Sequence, residues 1–293
     1  MPSVKQLVKI NTKAQLMAIK NALMSKYYNL FCSNIEIEGV TAEQKEYITR
    51  QLFAKGTIAV FKPNDKINDL VAFCPYAAQK FNLYDQPTEV QLINTRNSPI
   101  IPNKSMKVNE DVVLGYLNKD RHGAAMYINA YVDRLVQIEG VINTNLTLHK
   151  MPFLLNCSSD NRDLLNNLMN KVLENEPIIA TEQSIQDSID VLNTNTPYII
   201  DKLKDYEKEL DGELLTILGI NNVAIEKKER LISDEANSNN QSIKTSALSM
   251  QNELNDFAKK IKEVLNYDVK FRILTLEMFN EEEKKEDDKD DVQ

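Results

Sequence analysis

The sequence predicts an α+β protein that is mainly α. Two observations carry that expectation. Near 124–145 and 197–218, apolar residues recur at the 3/4 spacing that marks one buried face of a long helix. Between Thr57 and Leu117 the chemistry is different. Short runs rich in β-branched and aromatic residues (TIAVF, DLVAF, EVQLI, DVVLGYL) are punctuated by Pro63, Pro75, Pro87, Pro99 and Pro102. That pattern predicts a small β-rich subdomain of roughly five or six strands.

The elements follow in order. Thr12-Lys13-Ala14-Gln15 has the form of a capping box, in which a hydroxyl and a carboxamide satisfy each other's backbone amides. It precedes a helical stripe of Leu16, Ile19, Leu23, Tyr27 and Leu30. Thr41-Ala42-Glu43-Gln44 is a second box, opening a helix that Gly56 should end. After the β-rich stretch, Ile128, Tyr131, Leu135, Ile138 and Ile142 mark a helix from Ala124 to near Asn145. A mixed insert is expected next. It holds a strand at Phe153–Cys157 and a helix over 160–175, capped by Ser158 or Ser159 and stopped by Pro177. A brief strand at Ile178–Ala180 and one or two helical turns within Ser184–Leu192 complete it.

Thr196 is a suitable N-cap for the following helix, and Pro197 fits its first position, where a missing N–H costs nothing. Ile199, Leu203, Tyr206, Leu210, Leu214 and Ile217 form its stripe, and Gly219 sits where a left-handed helix end belongs. Its other faces carry Asp201, Asp205, Glu207, Glu209, Asp211 and Glu213 against Lys202, Lys204 and Lys208. Asn221–Thr245 reads as a polar loop. Met250, Leu254, Phe257, Ile261 and Leu265 mark a last helix closed by Asn266, and Val269, Phe271 and Ile273 alternate as a strand.

Composition excludes several function classes. Cys32, Cys74 and Cys157 stand far apart without a CxxC pair, which argues against a zinc site or a disulfide framework and suits a reducing cytoplasm. No apolar run approaches the ~18–20 residues that span a bilayer, and MPSVKQLVKINTKAQ lacks a signal-peptide core. The net charge is −8, unevenly spread. Residues 277–293 hold nine acids against Lys284, Lys285 and Lys289, and read as a disordered acidic tail. Residues 1–35 hold lysines and no acid.

Catalytic signatures are missing from the sequence. It has no GxxxxGK[ST] to cradle a phosphate, and Gly219-Ile-Asn-Asn does not substitute for one. His122 and His149 have no metal-site spacing, and no nucleophile elbow occurs. Asp120-Arg121-His122-Gly123 reads as a polar turn ahead of the helix at Ala124, rather than an acid–base cluster. Neither an enzyme nor a cofactor or metal site is expected.

A family resemblance is carried by PYIIDKL, LTILGINN and IEKKERLISDE within 196–240. These runs resemble the central helix and channel loop of the upper-collar (portal, head-to-tail connector) proteins of small protein-primed, picovirus-type podophages. The likeness extends more thinly from about Lys26 to about Arg272. It implies a portal fold with long stem helices around a channel and a small β-rich wing. Residues 1–123 would be N-terminal helices and wing at the wide end, and 124–151 the first stem helix. The insert 152–195 would be the narrow-end clip, 196–220 the second stem helix and 221–245 a channel loop. Residues 246–276 would return to the wide end, ahead of the tail 277–293.

The resemblance also implies a function. About twelve copies would form a ring at one capsid vertex, so that every axis-facing lysine becomes a ring of charge. Lys227, Lys228 and Arg230 would contact double-stranded DNA through its phosphates, without reading sequence. Lys202, Asp205, Glu209 and Glu213 would set the charge of the channel wall, whose carboxylates repel the duplex. The implied partners are the major capsid protein, a separate packaging ATPase and the lower-collar and tail proteins. Assembly would take place in the host cytoplasm. Relatives that use a packaging RNA have an arginine-rich N-terminal arm. The first 35 residues here contain no arginine, so that partner does not carry over. A ring-forming head–tail adaptor that does not thread DNA, or an enzyme without recognisable motifs, are the alternatives.

Overall fold

The computed structural model describes residues 13–63, 71–94, 98–150, 153–157, 189–193, 195–222 and 233–280. They fall into two compact units. The larger comprises residues 24–130 and 212–293, and the smaller residues 1–23 and 131–211. Helices α1 (Lys13–Asn34), α3 (Ala124–Lys150) and α4 (Ile200–Ile217) contribute residues to both.

The larger unit is organised around β2 (Thr57–Phe61), an apolar run with β3 (Ala72–Cys74) on one side and β7 (Val112–Tyr116) on the other. Both pairings are antiparallel, with Thr57 opposite Tyr116 and Phe61 opposite Val112. Ala59, Phe61, Val112 and Leu114 point into a core shared with Val90, Leu92 and Met106. Ile58, Val60 and Val113 are also fully buried. A strand covered on both faces has no reason to alternate, which is why TIAVF reads as a continuous apolar run. Helix α5 (Ser233–Leu265) covers the β7 side: a Cβ on Gly115 would lie 2.5 Å from the Phe257 ring. A second antiparallel sheet joins β4 (Tyr76–Phe81), β5 (Pro87–Leu92) and β6 (Ser105–Lys107). Among the described residues, the stretch 57–117 thus holds six strands, in two sheets of three.

Local signals place α2 (Ala42–Lys55) as the sequence predicts. The Gln44 amide donates to Thr41 Oγ1 at 3.2 Å, and the Thr41 amide donates to Gln44 Oε1 at 3.0 Å. Gly56 ends the helix at φ 70°, its amide donating to the Leu52 carbonyl. Asn266, at φ 48°, closes α5 in the same left-handed region. A strand is not expected at β1 (Ile35–Glu38), yet it pairs antiparallel with β10 (Lys270–Ile273). Its apolar face, Ile35 and Ile37, is buried opposite Ile273 and Phe271.

Three boundaries depart from the sequence reading. First, α5 begins at Ser233, so 233–245 is helix and not loop. Asn and Ser are weak helix formers, and they dominate 237–242. The stripe of Ile243 and Ala247, both fully buried, extends the Met250–Leu265 face backward and overrides that preference. Second, α4 begins at Ile200 and not at Pro197. Ile199 supplies the carbonyl that accepts from the Leu203 amide, so the N-cap position falls at Ile199, three residues beyond Thr196. Third, residues 274–280 are helical. Leu276 and Phe279 are buried and Glu277 pairs with Arg272, so the tail starts later than Glu277.

In the smaller unit, Val132, Leu135, Ile138 and Ile142 are the buried stripe of α3, which runs on to Lys150. Strand β8 (Phe153–Cys157) pairs with β9 (Ile189–Asn193) in antiparallel register, Phe153 opposite Asn193. The helical turns expected up to Leu192 are therefore a strand at their C-terminal end. The β-branched residues Ile189 and Val191 alternate there and complete the β8 ladder. The expected helix over 160–175, the strand Ile178–Ala180 and the cap at Thr12 lie outside the described residues.

Candidate channel-lining helix

Helix α4 separates its chemistry by face. Leu210 and Leu214 are buried, and the turn beyond the helix buries Leu218. Asp201, Lys202, Asp205, Lys208, Glu209 and Glu213 are exposed. At ~100° per residue, Lys202, Asp205, Glu209 and Glu213 fall within about 80° of the helix surface. One lysine and three carboxylates therefore make a narrow acidic line. Lys208 sits 3.8 Å from Asp205 in an open pair, which neutralises little of it.

The third lysine is used differently. Lys204 donates to Glu139 of α3 at 2.8 Å and to Glu207 at 2.6 Å. Hydrogen bonding to Glu139 and then to Glu207 raises its pKa, so the charged form is held. Within the same unit, Asn145 Nδ2 donates to the Pro197 carbonyl at 2.9 Å, and the His149 and Tyr198 rings lie 5.5 Å apart. Lys20 pairs with Asp133 at 2.7 Å. Not every apolar position of the predicted α4 stripe is covered: Tyr206 and Ile217 are exposed.

Lys227, Lys228 and Arg230 lie outside the described residues. The segments on either side of them are described. Gly219 closes α4 at φ 62°, with its amide donating to Thr216 and the Ile220 amide to Leu215. A Cβ there would come within 2.9 Å of Ala247 of α5, so the turn needs glycine twice over. Asn222 Nδ2 donates to the Gly212 carbonyl at 2.7 Å and to Thr216 Oγ1 at 3.1 Å. Asn239 of α5 donates to Asn222 Oδ1 at 2.7 Å. This asparagine clamp ties the end of α4 to the start of α5, and the sequence gives no signal for it beyond a glycine in mid-helix.

Other polar groups have structural roles. Asp120 accepts from the His122 amide at 3.1 Å and from the Tyr127 hydroxyl. Partial burial pushes the Asp120 carboxyl up, but those hydrogen bonds outweigh it and hold the pKa down. Hydrogen bonding to Asp120 pushes Tyr127 up to about 12. The segment is the polar turn that the sequence predicts. Burial alone pushes the Cys74 thiol up to about 12, which makes it inert at neutral pH. Among the described residues, no cluster of His, Cys, Asp and Glu could hold a metal ion. No described helix is long and apolar enough to cross a membrane.

Solved structures of related shape include the portal and tail of native bacteriophage P68. There the identity is 14%, 87% of this chain and 85% of that chain are covered, and the TM-score is 0.48. An HK97-family phage portal protein from Corynebacterium diphtheriae aligns at 11% identity over 91% of this chain and 97% of its own, with a TM-score of 0.45. The virion of a native gene transfer agent particle gives 8% identity, coverage of 92% and 87%, and a TM-score of 0.39. The family model described as Phage Connector (GP10) matches residues 3–276, both units and the acidic helix included, and the chain therefore belongs to the phage connector family.

Proposed function

We propose that this connector protein forms a closed ring of about twelve copies at one capsid vertex, with double-stranded DNA passing along its axis. In this reading α3 and α4 are the stem helices. Lys202, Asp205, Glu209 and Glu213 face the channel, and Lys227, Lys228 and Arg230 meet the phosphate backbone. The ring is a passive conduit and a docking platform for capsid protein, tail proteins and a separate packaging ATPase. No phosphate-cradling loop occurs in the sequence, so translocation must be driven from outside the chain.

The observation that carries this reading is the segregation of charge on α4 in a member of the connector family. A conduit needs contacts that are weak, sequence-blind and quickly broken. Carboxylates repeated around an axis repel phosphate and keep the duplex off the wall. A small number of basic groups then supplies transient, salt-sensitive contacts.

The test is charge reversal of that line. The triple variant Asp205→Lys, Glu209→Lys, Glu213→Lys alters only exposed side chains, so it should assemble as the wild type does. Packaging in vitro, read by nuclease protection, should slow or stall, because the wall now holds the duplex. Packaging at the wild-type rate and length would remove these residues from the channel wall.

A further inference from the structure

Helix α4 is not rolled about its axis in the way its apolar pattern alone directs. The stripe of Leu203, Tyr206, Leu210, Leu214 and Ile217 marks one direction around the helix. The residues that are buried, Ile200, Leu210 and Leu214, mark another. At ~100° per residue the two directions differ by roughly 40°. The offset leaves Tyr206 46% exposed and Ile217 37%. Burial of apolar area favours a roll that covers Tyr206, so a polar contact must hold the helix back.

The offset runs toward Lys204, which lies past Ile200 on that side of the helix. The Lys204 ammonium donates to Glu139 of α3 at 2.8 Å and to Glu207 at 2.6 Å. All three residues belong to the smaller unit. Glu139 is the anchor, because it stands on the other helix. Glu207 shares α4 with Lys204 and braces the ammonium, so the flexible lysine stem does not simply follow a rolling helix. With side chains ~5–6 Å from the helix axis, a roll of ~40° displaces one by about 4 Å. That displacement parts a 2.8 Å hydrogen bond to Glu139.

The network is partly exposed and adds little to net stability. Its effect is on geometry, since it separates two rolls whose apolar burial differs by part of one tyrosine. Two further contacts, Asn145 to the Pro197 carbonyl and His149 to Tyr198, precede the helix. They fix where α4 enters rather than how it is rolled. Lys202, Asp205, Glu209 and Glu213 lie on the opposite side, roughly 180° around α4 from the midpoint of Lys204 and Glu207.

We propose that Lys204, anchored by Glu139 and braced by Glu207, is a positioning residue that fixes the roll of α4 and so presents the acidic line directly away from α3. That this line is the wall of a DNA channel rests on the reading above; the lock itself does not.

The experiment compares cryo-EM maps of three full-length proteins: wild type, Lys204→Ala, and the exchange Glu139→Lys with Lys204→Glu. The exchange keeps one lysine between two glutamates and moves the lysine to α3. In Lys204→Ala, α4 should roll by roughly 40° relative to α3, turning Tyr206 inward and carrying the acidic line with it. The exchange should restore the wild-type roll. A Lys204→Ala helix that superposes on wild type would overturn the lock, and a lowered urea midpoint in that case would leave Lys204 a stabilising residue only. An exchange variant rolled as far as Lys204→Ala would overturn it equally. Packaging in vitro then separates the lock from the channel reading. Rolled Lys204→Ala rings that package DNA at the wild-type rate would count against the acidic line as channel wall, while the observed roll would still establish the lock.

Discussion

Asn34 places one amide where three parts of the larger unit meet. Its Nδ2 donates to the Gly219 carbonyl at 3.2 Å, and its Oδ1 accepts from the Thr275 amide at 3.0 Å and hydroxyl at 2.8 Å. The site is buried, so Asn34→Ala should leave a carbonyl and an amide without partner or water. A destabilisation of about 1–3 kcal/mol is expected, read as a lower urea midpoint. A midpoint equal to wild type would mean that water replaces the side chain. Asp120 supplies a second residue-scale prediction. Its depressed pKa means that its stabilisation is present above the unfolded carboxylate pKa and is lost as pH falls through the lower, folded one. Tyr127→Phe removes one of the hydrogen bonds responsible, so the Asp120 titration followed by NMR should move upward. No movement would assign the effect to the other groups around Asp120, the His122 amide among them. Residue-scale signals were legible in the sequence where they are local. The Thr41–Gln44 box and the left-handed Gly56, Gly219 and Asn266 are each specified by a residue type and its near neighbours. Asn34 was not legible, because its partners lie 185 and 241 residues along the chain; Asn222 was not, because its partners, 6 to 17 residues away, sit on two different helices whose approach no local pattern announces.

At the scale of elements, the apolar stripes of α3 and α5 were readable, since burial at 3/4 spacing leaves a direct trace in the sequence. Boundaries were less so. Propensity argues for loop over 237–242, but α5 runs through it because Ile243 and Ala247 join the buried face. A cap motif at Thr196 argues for a start at Pro197, whereas the first hydrogen-bonded turn runs from the Ile199 carbonyl and the helix starts at Ile200. The strand β1 pairs with a segment more than two hundred residues away, and four residues alone carry too little pattern to announce it. The charge pattern of α4 was legible, whereas the use of Lys204 was not, since Glu139 sits on another helix. The raised Lys204 pKa means that this contribution is complete at neutral pH and is lost only as pH rises through the folded value. Leu210 tests the buried face of α4: Leu210→Asp places a charge where 2% of the residue is exposed, at a cost of several kcal/mol unless it protonates. Loss of rings in native mass spectrometry is expected, and wild-type-like rings would show that the face tolerates water.

For the whole molecule, family membership and the charge layout point the same way. The chain is a phage connector protein, a component of the virion's portal vertex. In a closed ring the effect of each side chain is multiplied by the copy number. Lys227→Ala with Lys228→Ala removes roughly 24 positive charges from a ring of about twelve copies, and should weaken the proposed DNA contact, which would be salt-sensitive and sequence-independent. Normal rings and empty capsids are expected, with filled heads that leak their DNA under nuclease challenge. Full retention would remove these lysines from DNA gripping. Negative-stain imaging of the purified protein, counting symmetry in top views, tests the central claim most directly. The account predicts closed rings of about twelve subunits around an open axis wide enough for a duplex. Monomers, or compact oligomers with no axial opening, would contradict it.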